Sequence, residues 1–224
     1  MRSLPLPLLT RVKICCIASE EEAWMAIHAG ASALGLVGPV PSGPGAITEE
    51  QITAIATRVP PGVATFLLTS HQDAGAIIEQ QKRCRTSVVQ ILDRLESGTY
   101  EELRAAMPGI GIVQVIHVMG EEAIEEAIGL EGKVDAVLLD SGNPNLPVKE
   151  LGGTGRTHDW QISARLCERV RLPVYLAGGL RSDNLATAIR TVRPFGVDLC
   201  NGVRTDGKLD PAKLEGFFAA LHSR

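Results

Sequence analysis

The chain predicts a closed (β/α)8 barrel, and three observations carry that prediction. Short β-rich apolar runs alternate with longer stretches of helical periodicity along all 224 residues, the pattern of a parallel sheet with crossover helices. Eight such units fit this length without a linker or a shift in composition, which favours one barrel domain over an open doubly wound sheet. Late in the chain, two apolar runs end in small residues just before helical stretches, Leu176-Ala177-Gly178-Gly179-Leu180 and Gly196-Val197-Asp198-Leu199-Cys200-Asn201-Gly202-Val203. Backbone N–H groups exposed there would cradle a phosphate dianion at Gly178, Gly179, Asn201, Gly202 and Val203.

The elements follow in order, after an expected N-terminal extension over residues 1–10. Residues 12–17 form the first strand, and Ser19 caps a helix with Glu20, Glu21 and Glu22 in its first turn and Gly30 at its end. Residues 33–37 are the second strand, and Thr48, Glu49 and Glu50 open the second helix. The third strand spans residues 63–68, with a helix from about 72 to 82, and the fourth spans 87–92, with a helix opening at Thr99. Residues 112–117 lead into a helix over 121–128, and residues 134–139 end in Asp140. A long glycine-rich loop then reaches the sixth helix at Asp159-Trp160, and residues 173–177 and the second phosphate turn supply the last two strands.

Composition narrows the function classes. Hydrophobic residues make up 45%, charged residues 21%, and the net charge is −4 without a basic run, so a nucleic-acid partner is not expected. No stretch is long and apolar enough for a membrane span, and the two prolines within residues 1–9 argue against a signal peptide. Five cysteines, an odd number without metal-ligand spacing, point to reduced thiols in the cytoplasm and to no zinc site. Oligomeric state has no signature in the sequence.

In a barrel of this kind, polar residues at the C-terminal strand ends are the candidates for chemistry. Cys15 reads either as a core thiol or as a reactive one, and strand alternation turns Cys16 to the opposite face. Asp140, directly after an apolar strand, reads either as a catalytic carboxylate at the barrel mouth or as an acceptor that orders the loop. Asp93 and His117 are substrate contacts or rim residues. Gly152-Gly153-Thr154-Gly155 is a lid or a second phosphate contact, since loops this long are usually functional.

Taken together, Val12-Lys13-Ile14-Cys15, Leu138-Leu139-Asp140, Gly152-Gly153-Thr154-Gly155, Asp159-Trp160, Leu176-Ala177-Gly178-Gly179-Leu180 with Asn184, Val192-Arg193-Pro194-Phe195, Val197-Asp198, Gly202-Val203 and Gly207-Lys208 resemble the phosphoribosylanthranilate isomerase family of tryptophan biosynthesis, in register over residues 12–218. The resemblance implies an Amadori rearrangement without cofactor or metal, acting on a small phosphorylated sugar. It assigns Asp140 as general acid and Cys15 as general base; the expected substrate contacts are Asp93 and His117, from their place at strand ends, together with Gly153, Thr154, Gly155 and Asp198. The chain departs from the family pattern at four places. Cys16 stands where the family has Gly, Gly45 where loop two carries an Arg, Leu92-Asp93 where strand four ends in His-Gly, and Arg204 where the family has Glu. These departures leave two alternatives to the default substrate, a different ribosyl-phosphate amine or a non-catalytic ligand-binding paralogue. If loop two is repurposed, Gly45→Arg should gain affinity for an anthranilate-bearing ligand, and Arg204 or Arg156 stands as a substitute cation.

Overall fold

A computed structural model describes residues 10–222, so residues 1–9 of the expected extension lie outside it. Eight parallel strands close into a barrel in chain order: β1 (Arg11–Ile14), β2 (Ala33–Val37), β3 (Ala64–Thr69), β4 (Val88–Ile91), β5 (Gly111–His117), β6 (Ala136–Asp140), β7 (Val174–Leu176) and β8 (Gly196–Leu199). β8 returns to pair with β1, with Lys13 opposite Asp198 in register. Helices α1 (Glu20–Ala29), α2 (Glu49–Ala56), α3 (Ala74–Cys84), α4 (Tyr100–Ala106), α5 (Glu122–Gly129), α6 (Trp160–Arg169) and α7 (Leu185–Val192) connect the strands. A short 3-10 turn (Asn201–Val203) and a hairpin of β9 (Arg204–Thr205) and β10 (Lys208–Leu209) then lead to α8 (Pro211–His222).

The helices begin and end where their caps require. Ser19 Oγ accepts the Glu22 N–H, Thr48 and Thr99 form reciprocal capping boxes with Gln51 and Glu102, and Gly30 closes α1 in the left-handed region at φ 113°. Alternation along the strands divides the apolar residues into two shells. Val12, Ile14, Leu34, Leu36, Leu67, Val137 and Leu139 face outward and pack beneath the helices. Phe66, Leu68, Val113, Val115, Ala136 and Leu138 fill the barrel interior together with Cys15 and Cys16. Because both faces are covered, the strands read as nearly continuous apolar runs.

Three elements are bounded two or more residues away from the sequence reading. α3 starts at Ala74 because Asp73 is its N-cap, and β6 begins at Ala136, with Asp140 as its last residue. β1 stops at Ile14, and the following residues turn: Cys16 sits at φ 62°, in the left-handed region. The expected outward orientation of Cys16 is therefore corrected, since alternation fails once the strand has ended. Both Cys15 and Cys16 line the barrel mouth. A non-glycine residue in that conformation costs roughly 1–2 kcal/mol, and this is the position at which glycine would be free of strain.

Arg204 holds this turn in place. Its guanidinium donates to the carbonyl oxygens of Cys15 (3.3 Å), Cys16 (2.5 Å) and Gly207 (2.8 Å), and it pairs with Glu22 at 3.0 Å. Buried as it is, Arg204 is a structural clamp on the end of β1 and supplies no cation to a ligand. Arg204→Met should therefore strand the Glu22 carboxylate and three carbonyls, at a cost of about 3–5 kcal/mol. Urea unfolding checks this, and a loss below 1 kcal/mol would reduce the clamp to an incidental contact.

Candidate active site

A cavity of about 250 Å³ opens at the C-terminal mouth of the barrel, with Cys15, Asp140 and Asp198 in its walls. Asp140, the last residue of β6, is buried; its Oδ1 accepts the Ser141 N–H at 2.8 Å. Burial raises its pKa from the ordinary carboxylate value, with the neighbouring Asp198 adding to the rise and the Ser141 N–H and His117 opposing it. Cys15 shifts the other way. A hydrogen bond with the Cys16 thiol and the nearby Lys13 ammonium lower its pKa, against the effect of burial. One cavity thus holds a carboxyl group inclined to keep its proton and a thiol inclined to lose one.

Behind these two groups lies a buried ion pair. Lys13 is 0% exposed, and its Nζ donates to Asp198 Oδ2 at 2.8 Å while standing over the Phe66 ring, 5.4 Å from the centroid. Asp198 Oδ1 has no partner among the described residues, so the carboxylate has an unused acceptor at a wall of the cavity. The thiols form a second cluster. Cys200 Sγ donates to Cys16 Sγ at 2.7 Å, and Cys16 reaches Pro44 O at 3.6 Å.

The two glycine turns come together as a single cradle. Gly178 and Gly179 follow β7, and Gly202 lies so close to the Leu180 carbonyl oxygen that a Cβ there would stand 2.1 Å from it. Asn201 Nδ2 donates to Gly153 O at 3.0 Å, which ties the cradle to the loop carrying Gly153, Thr154 and Gly155. Thr154 Oγ1 in turn meets Ser141 Oγ at 2.7 Å, next to Asp140. Gly153, Thr154, Gly155, Gly178, Gly179, Asn201 and Gly202 all line the cavity. Val203 does not: its side chain is fully buried in the outer core, and its N–H goes to Cys200 O.

Asp93 and His117 stand apart from this group. Asp93 Oδ2 pairs with Lys149 Nζ at 2.5 Å and Oδ1 accepts the Arg94 N–H, while His117 Nε2 donates to Leu92 O at 2.9 Å. Neither lines the cavity; Leu92 does, on the inward side of that strand end. Arg156 pairs with Glu150. Two residues of the site escaped the sequence reading. Gln90 lines the cavity with its buried Oε1 unpartnered, and Lys13 lies beneath it. Each is a polar side chain at an inward position of an apolar strand, which is the signal that could have identified it.

The chain matches the family model described as N-(5'phosphoribosyl)anthranilate (PRA) isomerase over residues 12–220. It is 34% identical to the N-(5'-phosphoribosyl)anthranilate isomerase of Methanocella arvoryzae over 206 residues, covering 92% of this chain and 94% of the relative. The Pelobacter propionicus isomerase is 35% identical over 212 residues, covering 93% and 94%. Among solved structures, phosphoribosyl anthranilate isomerase from Thermus thermophilus superposes with a TM-score of 0.79 at 27% identity, covering 96% of this chain and 99% of that one. A phosphoribosyl anthranilate isomerase in complex with reduced 1-(o-carboxyphenylamino)-1-deoxyribulose 5-phosphate superposes with 0.76 at 27% identity, covering 95% and 98%.

Loop two cannot take the side chain suggested for it. Gly45 lies at φ 82°, and a Cβ there would stand 2.4 Å from Cys16 Cβ and 3.0 Å from Cys16 Cα. Gly45→Arg should therefore destabilise the protein by roughly 1–3 kcal/mol in urea unfolding, through overpacking. Adding Cys16→Gly should restore much of that loss by removing the clash. An unchanged unfolding midpoint in the single variant would show that loop two shifts freely.

Proposed function

The chain belongs to the N-(5'-phosphoribosyl)anthranilate isomerase family, and from that premise we propose how its cavity performs an Amadori rearrangement. The substrate is N-(5′-phosphoribosyl)anthranilate, and the product is 1-(o-carboxyphenylamino)-1-deoxyribulose 5-phosphate, a step of tryptophan biosynthesis. Asp140, as the neutral acid, protonates the furanose ring oxygen, and the ring opens to an iminium cation. That cation acidifies the C2′ proton, which the Cys15 thiolate removes to give an enolamine that tautomerises to the ketoamine product. The acid and the base need opposite protonation states in one site. The observation that carries this reading is their opposite shifts in a shared cavity, raised for Asp140 and lowered for Cys15.

The cradle of Gly178, Gly179, Asn201 and Gly202 would hold the 5′-phosphate and so orient the sugar between the two groups. Asp198 Oδ1 and Gln90 Oε1 are unused acceptors suited to sugar hydroxyls. The aromatic ring would lie against Val40, Pro44, Leu92 and Leu151 at the outer wall. We place the enzyme in the cytoplasm, where its thiols would stay reduced; among the described residues, no helix is long and apolar enough to cross a membrane.

A second reading rests on one observation. Among the described residues, the only arginine or lysine lining the cavity is Arg181, beside the phosphate turns, so no cation faces the aglycone from loop two. A ribosyl-phosphate amine without an aromatic carboxylate would fit that wall. Turnover of fresh phosphoribosylanthranilate, followed by loss of its fluorescence, separates the two. Turnover well above background supports the first reading, and binding of the product without turnover of the substrate supports the second.

Two variants test the assigned groups. Cys15→Ser and Asp140→Asn should each lower kcat by at least about a hundredfold, while binding of a reduced product analogue changes only severalfold. Wild-type rates in both would remove the acid and base assignments. The active microstate carries one proton, on Asp140 and not on Cys15. The pH–rate profile should therefore be bell-shaped, falling in acid as the thiolate is protonated and in alkali as the carboxyl group ionises, with both limbs belonging to the coupled pair. A profile flat across both limbs would contradict it.

A further inference from the structure

A lysine is almost never fully buried unless paired, and Lys13 is the bulkiest of the fully buried side chains. An apolar residue of similar volume would commonly serve stability as well as or better than a buried ion pair. A charge kept in this place therefore calls for a use. The ammonium has three donors, of which Asp198 Oδ2 is the one hydrogen-bond partner recorded among the described residues, with Phe66 presenting its ring face.

The remaining neighbour is Cys15. Lys13 is an inward residue of β1 and Cys15 directly follows that strand, and the two converge on the space above Gly35 of β2. A Cβ on Gly35 would stand 2.8 Å from Cys15 Sγ and 3.0 Å from Lys13 Nζ. The absence of a side chain there leaves both atoms beside one shared space, which places the sulfur and the ammonium no more than about 5.8 Å apart. We infer that Lys13 is a positioning residue for the reaction: its ammonium, held in place by Asp198, faces the Cys15 sulfur and keeps it in the thiolate form that proton abstraction needs.

The rest of the surroundings agree with that orientation. The groups that face Cys15 are Lys13 from its own strand, Asp198 from β8, and the Cys16 thiol, which is itself bonded to Cys200. Arg204 bonds the Cys15 carbonyl, but its charge is paired with Glu22. Lys13 is therefore the cation acting on the sulfur, and burial does not neutralise it because the Asp198 carboxylate holds its proton in place, raising its pKa. The other end of the pair serves the acid: at Asp140 the Asp198 carboxylate favours the protonated form while Lys13 opposes it. At Cys15 the balance is reversed, with Lys13 favouring the thiolate more strongly than Asp198 opposes it.

The inference rests on Cys15 being the base, and its first test does not require turnover. The thiolate absorbance of the wild-type protein minus that of Cys15→Ser, followed against pH, isolates the Cys15 titration. Its midpoint should lie below the free-cysteine value of about 8.5; a midpoint at or above that value overturns the proposal without any change at Lys13. The same difference taken between Lys13→Met and Lys13→Met/Cys15→Ser should be higher by at least about one pH unit. Turnover at and below neutral pH should then fall about tenfold for each unit of that rise, with KM little changed. An unmoved midpoint in a folded Lys13→Met protein would make the lysine merely structural. If Lys13→Met alone does not fold, Lys13→Met/Asp198→Asn removes both charges, and the same thiolate midpoint must still rise. Failure of phosphoribosylanthranilate turnover alongside a low Cys15 midpoint would instead count against the substrate and leave the role of Lys13 standing.

Discussion

A parallel sheet closed on itself has no edge, so every strand must satisfy two environments at once. The outward face meets helices and takes branched apolar residues; the inward face meets seven other strands across a narrow interior. That second constraint governs the rest of this molecule. The interior is filled with Phe66, Tyr175, Leu68, Val113, Val115 and Leu138, and the ring of Tyr175 packs edge-on between Phe66 and Phe195. Towards the C-terminal end, inward side chains become small or polar, at Gly35, Cys15, Gln90, Asp140, Ala177 and Asp198. The cavity is the part of the interior that the sequence leaves unfilled.

The placement of charge follows from the same geometry. A carboxylate or an ammonium in that interior would be costly alone, and the two present at the base of the site are opposite each other in register across the β1–β8 seam that closes the barrel. Closure and electrostatics therefore depend on one contact. Asp140 ends β6 and Cys15 follows the end of β1, so the positions of the two groups relative to one another are set by the barrel as a whole. A rigid framework can thus place one carboxyl group and one thiol in surroundings that shift their pKa values in opposite directions.

Much of this was legible in the sequence because it depends on local pattern. The eight units, the caps at Ser19, Thr48 and Thr99, the paired glycine turns, and the placing of Cys15 and Asp140 at strand ends all follow from periodicity and residue type. What was not legible depends on contacts between distant segments. The turn at Cys16 needs Arg204, 188 residues away, to bond its carbonyl, and no feature of residues 12–17 announces that the strand stops at Ile14. Asp93 was expected near the ligand. One position beyond the inward Leu92, it belongs to the outward set, and Lys149 meets it from a loop 56 residues later. Lys13 is legible only as part of the Val12-Lys13-Ile14-Cys15 motif; its pairing depends on Asp198, 185 residues later in the chain.

Three of the four departures from the family pattern, Cys16, Gly45 and Arg204, form two physical groups, the first of them together with Cys200. Cys16, Cys200 and Gly45 touch one another's surroundings: Cys16 occupies a conformation suited to glycine, its sulfur meets Cys200, and its Cβ fills the space in which a side chain at Gly45 would have to begin. The change at one position therefore constrains another, and loop two lacks its arginine for a steric reason as well as a chemical one. Arg204 belongs with Glu22 and the end of β1, where its charge is already paired. The sulfur cluster adjoins the second phosphate turn, where Cys200 Sγ lies 3.6 Å from Asn201 Oδ1, and Cys16 bonds the Cys15 thiol. A change in this sulfur cluster is therefore felt at Cys15 and at the second glycine turn as well as in loop two, whereas the Arg204–Glu22 pair acts through the carbonyls of Cys15 and Cys16.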